Sequence, residues 1–120
     1  VSLGLYSRAP ENLDIDSFVV KQVKKYSMYT YVEGSHFECA FGHLVEYSSN
    51  YYTYMWSLVI AKELYGVFKS AGMGDSTLSE KYRQTILSAG GSKDADHLVI
   101  DFLGHPFGMD AFEKWLSEGD

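Results

Sequence analysis

Acids at the front, lysines at the back and apolar side chains between them mark residues 14 to 26 as the first regular element of the chain. Phe18, Val19, Val23 and Tyr26 recur at helical spacing, which predicts an amphipathic helix aligned with its own macrodipole. The period is lost from 27 to 42, where Gly34 and Gly42 interrupt an ordered connection. From Tyr51 to about Ser70 apolar residues occupy nearly every side until Lys62 and Glu63. That pattern predicts a helix buried at its N-terminal end and emerging into water later. Ser48, Ser49 and Asn50 offer N-cap oxygens for it, and Gly72 and Gly74 close it.

Ser76 or Ser79 can open a further helix through Leu78, Tyr82 and Ile86, ended by Gly90 and Gly91. Ser92, Asp94 and Asp96 would start the next, with Leu98, Val99 and Phe102 on one side, before Gly104 and Pro106 break it. A last short helix from about Asp110 to Leu116 would bury Phe112 and Trp115. No strand-period alternation and no internal repeat occurs, so the expected class is all-α.

With 120 residues, the chain has the length of one small domain with a single core. Apolar residues at 46% and charged residues at 22% are ordinary for a globular protein, and aromatics at 16% are the deviation. A formal charge of −6 excludes a nucleic-acid surface, which needs clustered Lys and Arg to displace counterions. The single cysteine, Cys39, has no internal partner and reads as a small buried hydrophobe in a reducing compartment. No signal peptide is visible, and the apolar run from Tyr51 to Ala61 falls short of the roughly 20 residues that cross a bilayer. No membrane role is expected, and the expected compartment is the cytoplasm. The chain opens at Val1 without an initiator Met, which suggests a segment of something longer.

The informative stretch is Phe41-Gly-His-Leu-Val-Glu-Tyr-Ser-Ser-Asn-Tyr-Tyr-Thr-Tyr-Met-Trp56. Eight of the ten tyrosines lie between Tyr26 and Tyr65, and residues 47 to 61 carry no charge at all. Phenols and the imidazole of His43 are therefore the main polar groups of an apolar wall. Such a wall can hydrogen-bond developing negative charge while staying dry enough for the bond to matter. Tyr47, Tyr51 and Tyr54, at intervals of four and three, share one face if the helix begins early, whereas Tyr52 points elsewhere. By pattern alone these remain open to a plainer reading, as core aromatics with satisfied hydroxyls beside a satisfied buried histidine.

Other chemistries lack their residues. His36, His43, His97 and His105 include no pair four apart, and no HExxH occurs, so no metal site is expected within the chain. No serine sits in a G-x-S-x-G elbow, and Gly72-Met-Gly74 lacks the third glycine and the preceding strand of a phosphate loop.

Phe41-Gly-His-Leu, Tyr47 and Tyr51-Tyr-Thr-Tyr-Met-Trp56 resemble the signature near the C-terminus of the thimet oligopeptidase, neurolysin and peptidyl-dipeptidase family of zinc metallopeptidases. Tyr82-Arg-Gln-Thr-Ile-Leu-Ser-Ala-Gly-Gly-Ser-Lys-Asp94, then Asp101-Phe-Leu-Gly104 and Asp110-Ala-Phe112, are similar to that family's closing segments in the same order. The resemblance covers about residues 14 to 116. It implies a mostly helical peptidase with a deep channel for short peptides, of which residues 1–120 are the C-terminal part of the catalytic domain. Its zinc would be held by an HExxH helix and a downstream Glu outside this chain, so the chain alone should be inactive and should partner the remainder of the catalytic domain.

By the same resemblance, His43 contacts substrate backbone near the scissile bond and Tyr54 hydrogen-bonds the oxyanion. Tyr47 is a second loop tyrosine near that carbonyl or the primed-side backbone, Tyr51 a pocket tyrosine, and Gly42 a substrate-binding hinge. Val45 and Glu46 stand where family members often carry glycine, which removes loop mobility except at Gly42. Glu46 could meet a substrate amine. The alternative is a non-catalytic helical module that binds peptides or acts as a scaffold, using the tyrosine face for recognition.

Overall fold

The computed structural model describes residues 1–118, which contain eight α-helices and no strand. In order they are α1 (Ser2–Tyr6), α2 (Ile15–Tyr26), α3 (Phe37–Ala40), α4 (His43–Glu46), α5 (Thr53–Ala71), α6 (Ser76–Tyr82), α7 (Ala95–Leu103) and α8 (Asp110–Glu118). The all-α expectation holds. The single core does not: the chain divides into two compact units, residues 1–54 and 55–120.

In the first unit, Asp14 caps α2 by accepting from the Ser17 backbone N–H at 3.1 Å and the Ser17 hydroxyl at 2.7 Å. Those bonds hold the Asp14 carboxyl below its ordinary pKa. The buried side chains of α2 are Phe18 and Val19, two of the four apolar positions read from the sequence. Helix α1, which the hydrophobic pattern does not foretell, packs on them. A Cβ at Gly4 would come within 2.7 Å of the Phe18 ring, so close approach demands the glycine there. Arg8 covers another part of that ring, 4.4 Å from its centroid.

The connection from 27 to 42 is not wholly irregular, since it contains α3. That turn is tied down by His36, whose Nδ1 lies 3.3 Å from Asp16 on α2 and 3.2 Å from Glu38. Cys39 is exposed rather than buried, since it lies in α3, a four-residue turn none of whose residues is buried.

In the second unit the buried residues are Val59, Leu98, Val99, Phe102 and Phe112. Phe102 stacks on Phe68 at 6.0 Å and meets Tyr82 edge to face at 5.5 Å. Lys81 lays its ammonium near the same ring and donates to the Phe102 carbonyl at 2.7 Å. Asp75, not Ser76 or Ser79, caps α6 by accepting from the Leu78 N–H at 2.7 Å. Past Tyr82 the backbone widens into a turn over Arg83–Leu87, closed by the Ser88 N–H on the Arg83 carbonyl. Gly104 ends α7 with φ of 82°, a left-handed position that favours glycine. In α8 Phe112 is buried and Trp115 only half-buried, under the Lys62 ammonium at 4.0 Å.

The helix foreseen from Tyr51 begins at Thr53, after a tight turn over Asn50–Tyr52. No side chain among Ser48, Ser49 and Asn50 provides a capping bond for that turn. Its apolar start is not buried: Met55 and Trp56 remain about half exposed, at 52% and 48%. Hydropathy required a covering surface there that these residues do not supply. No helix among the described residues is long and apolar enough to cross a membrane.

Candidate functional site

The first unit gathers its aromatic side chains through a sequence of tight turns. Gly42 precedes α4, His43 opens it and Tyr47 follows it. Ser48 then adopts φ of 48°, an uncommon left-handed conformation for a residue with a side chain, and reverses the chain into the turn that carries Tyr51. Tyr54 sits in the first turn of α5. Helix α1 braces this path at two points: the buried Ser2 hydroxyl donates to the Ser48 carbonyl, and the Tyr6 hydroxyl donates to the Leu44 carbonyl. Sequence reasoning missed both braces, since a five-residue helix leaves no measurable period.

His43 lies at the centre of the cluster. Its ring centroid is 5.3 Å from Tyr47, 5.1 Å from Tyr51 and 5.7 Å from Tyr54. Tyr54 stacks on Tyr47 at 5.8 Å and meets Tyr51 at 5.3 Å. The structure thus brings His43, Tyr47, Tyr51 and Tyr54 together, while Tyr52 is exposed outside these ring contacts. Tyr47 and Tyr51 are each 40% exposed and Tyr54 49%, so they are not interior packing. Part of each of these three side chains is accessible.

Hydrogen bonding with the Tyr47 side chain, helped by desolvation, raises the Tyr54 phenol above its ordinary pKa. A phenol at its ordinary value of 10.0 is already protonated in the neutral range, so Tyr54 has a hydrogen to donate with or without that shift. With an imidazole and several phenols, the cluster can hydrogen-bond a carbonyl and share negative charge that develops on it. Gly42 has ordinary helical dihedrals, φ −53° and ψ −31°, and a Cβ there would meet nothing within 4 Å. Neither conformation nor space requires glycine at that position. Val45 and Glu46 are exposed beside the cluster.

The donor set around His43 does not suit a metal ion. Zinc takes imidazole, thiolate or carboxylate ligands, and the neighbours of His43 are phenols. Among the described residues, Asp16, His36 and Glu38 converge, as do Asp94, Asp96 and His97. The first trio is accounted for by the pairing of His36 with two carboxylates, and the second is fully exposed at the start of α7.

Comparison with known proteins matches residues 3–118 to peptidase family M3. The chain is 33% identical over 84 residues to the mitochondrial intermediate peptidase of Coprinopsis scobicola, covering 70% of this chain and 11% of that protein. It is 30% identical over 86 residues to the thimet-like oligopeptidase of Dictyostelium discoideum, covering 71% of this chain and 13% of the relative. The probable cytosolic oligopeptidase A of Arabidopsis thaliana shares 31% over 74 residues, 57% of this chain and 11% of its own length. The chain therefore spans little more than a tenth of the curated relatives it matches.

Proposed function

Because the chain belongs to peptidase family M3, we propose that it is the C-terminal, substrate-contacting part of the catalytic domain of a zinc-dependent oligopeptidase. The observation that carries the reading is the convergence of His43, Tyr47, Tyr51 and Tyr54 on one half-exposed, uncharged wall. In this reading Tyr54 donates its phenol hydrogen to the carbonyl oxygen of the scissile bond as that oxygen gains charge. Tyr47, stacked on Tyr54, holds the phenol in position and offers a second donor. His43 holds the substrate backbone, and Tyr51 with Gly42 completes the binding surface.

The zinc ligands lie outside this chain, and the residues here act on the peptide alone. Isolated, the chain binds peptide weakly and cleaves nothing. The remainder of the catalytic domain supplies the opposite wall of the channel and covers the exposed Tyr26, Met28, Tyr29 and Val32, each at least 70% accessible.

The full-length product of the gene that encodes this chain tests the proposal. It should hydrolyse short fluorogenic peptides, leave folded proteins intact, lose activity to a chelator and regain it with zinc. Peptide binding without hydrolysis would instead mark the non-catalytic recognition module, and absence of both would end the proposal.

A further inference from the structure

Ser2 is the only buried polar side chain among the described residues, at 5% exposure. A hydroxyl taken out of water is costly unless it is hydrogen-bonded, so its bond to the Ser48 carbonyl decides how α1 lies against the aromatic segment. Four residues on, along the same face of α1, Tyr6 donates to the Leu44 carbonyl. The opposite face carries Gly4, pressed against the Phe18 ring of α2. Helix α1 is thus seated on a buried ring at its back and reaches Leu44 and Ser48 at its front, and it also packs on the Asn50–Tyr52 turn.

The two carbonyls sit where the local backbone needs outside help. Helix α4 is four residues long, and a helix of one turn has no following turn to bond its last carbonyls. The Tyr47 N–H serves the His43 carbonyl, and the Tyr6 hydroxyl serves that of Leu44. Ser48 holds φ of 48°, a conformation that residues other than glycine rarely keep without support, and its carbonyl is the one that Ser2 grips. The bonds therefore fall on either side of Tyr47. One secures the helix that His43 opens, and the other secures the reversal that leads to Tyr51 and Tyr54.

We infer that Ser2 and Tyr6 are positioning residues for peptide hydrolysis, which fix His43 and Tyr47 in the arrangement that meets Tyr54. The inference rests on the substrate-contacting reading of those three side chains. In this role neither hydroxyl touches the peptide; each holds a backbone carbonyl, and the backbone carries the effect to the rings. The two are unequal. Ser2 is buried, with no water to replace its bond, whereas Tyr6 is 51% exposed and water can take its place.

The test uses the full-length enzyme, one fluorogenic peptide and thermal unfolding followed alongside. Ser2→Ala should lower kcat/KM by about tenfold and Tyr6→Phe by about threefold, since misplacing groups that meet the substrate slows the reaction without removing them. The decisive variant adds Ser48→Gly to Ser2→Ala. Glycine takes the left-handed conformation without strain, so the pair should recover to within about threefold of wild type. A merely structural loss would not recover, because a new glycine ordinarily lowers stability. Failure of Ser48→Gly to restore the rate would therefore assign Ser2 a structural role and overturn the inference, as would wild-type kcat/KM in both single variants. Should Ser2→Ala not fold, Tyr6→Phe carries the test: a lowered rate at an unchanged melting temperature supports positioning, and an unchanged rate overturns it. Tyr54→Phe is the control for the underlying reading. If it depresses turnover while Ser2→Ala and Tyr6→Phe do not, the positioning role alone fails. If wild type cleaves no peptide, the proposed function fails and the positioning role with it.

Discussion

Replacing Tyr54 by Phe removes one hydroxyl and keeps the ring, so the stacking on Tyr47 at 5.8 Å and the contact with Tyr51 at 5.3 Å survive. In the proposed role, what is lost is a donor to charge that appears only as the carbonyl is attacked. Loss of one such donor typically lowers kcat by a factor of about 10² to 10³. Two features place the expected loss at the lower end. His43 and Tyr47 lie within ring contact of Tyr54 and can take up part of the charge. The Tyr54 phenol is also half exposed in this chain, where competing water weakens any single bond. The expectation is about a hundredfold fall in kcat with KM unchanged within about twofold, since the ground-state carbonyl makes little use of the bond. Steady-state hydrolysis of one fluorogenic peptide by the full-length enzyme measures both. The pH profile adds an independent readout. Hydrogen bonding with Tyr47 raises the Tyr54 pKa, so Tyr47→Phe should move the alkaline limb of kcat to lower pH, as the Tyr54 phenol returns toward its ordinary value of 10.0. Wild-type kcat in Tyr54→Phe, with peptide affinity also unchanged, would refute the reasoning.

Phe102→Ala should destabilise the second unit by about 3 kcal/mol, the low end of the usual range for truncating a buried aromatic ring, because half-buried Phe68 and Tyr82 can partly collapse into the space. Urea titration followed by circular dichroism measures it, and a change below about 1 kcal/mol would contradict the packing described. His36 has its pKa raised by the hydrogen bonds it donates to Asp16 and then Glu38, so its pairing stabilises the protein fully below the unfolded value near 6.5 and that contribution is lost as pH rises through the folded value. An NMR titration of the His36 ring should give a midpoint above 6.5, and Asp16→Asn should bring it down. Isolated from any partner, the chain should self-associate or bind a hydrophobic dye, given the exposed Met28, Tyr29, Val32, Met55 and Trp56; sedimentation of a clean monomer with no dye binding would count against this.

Helix α2 was legible because two independent signals agree, charges graded from acids to lysines and an apolar helical period, and the structure begins the helix one residue after Asp14. The boundary at Gly104 was legible for a similar reason, as a left-handed position that only glycine takes easily. Helix α1 was not, because its determinants are distant: a clash-free Gly4 under Phe18 and hydroxyl bonds to the carbonyls of residues 44 and 48. No local pattern encodes those. The cap at Asp75 was passed over for the serines that follow it, although a carboxylate satisfies the same N–H groups.

The candidate site shows a subtler case. Intervals of four and three suggested that Tyr47, Tyr51 and Tyr54 share one face of a single helix, but the backbone there is a short helix, a left-handed Ser48, a tight turn and then α5. The rings meet because the chain folds back at Ser48, and two hydroxyls from α1 hold that reversal in place. Spacing picked out rings that do meet, but for the wrong geometric reason. The apolar start of α5 points the same way: its composition calls for burial, yet Met55 and Trp56 stand half exposed. A hydrophobic run records what must eventually be covered, not which residues of the same chain cover it. Where the two differ, as here, the mismatch remains as exposed apolar surface at the start of α5.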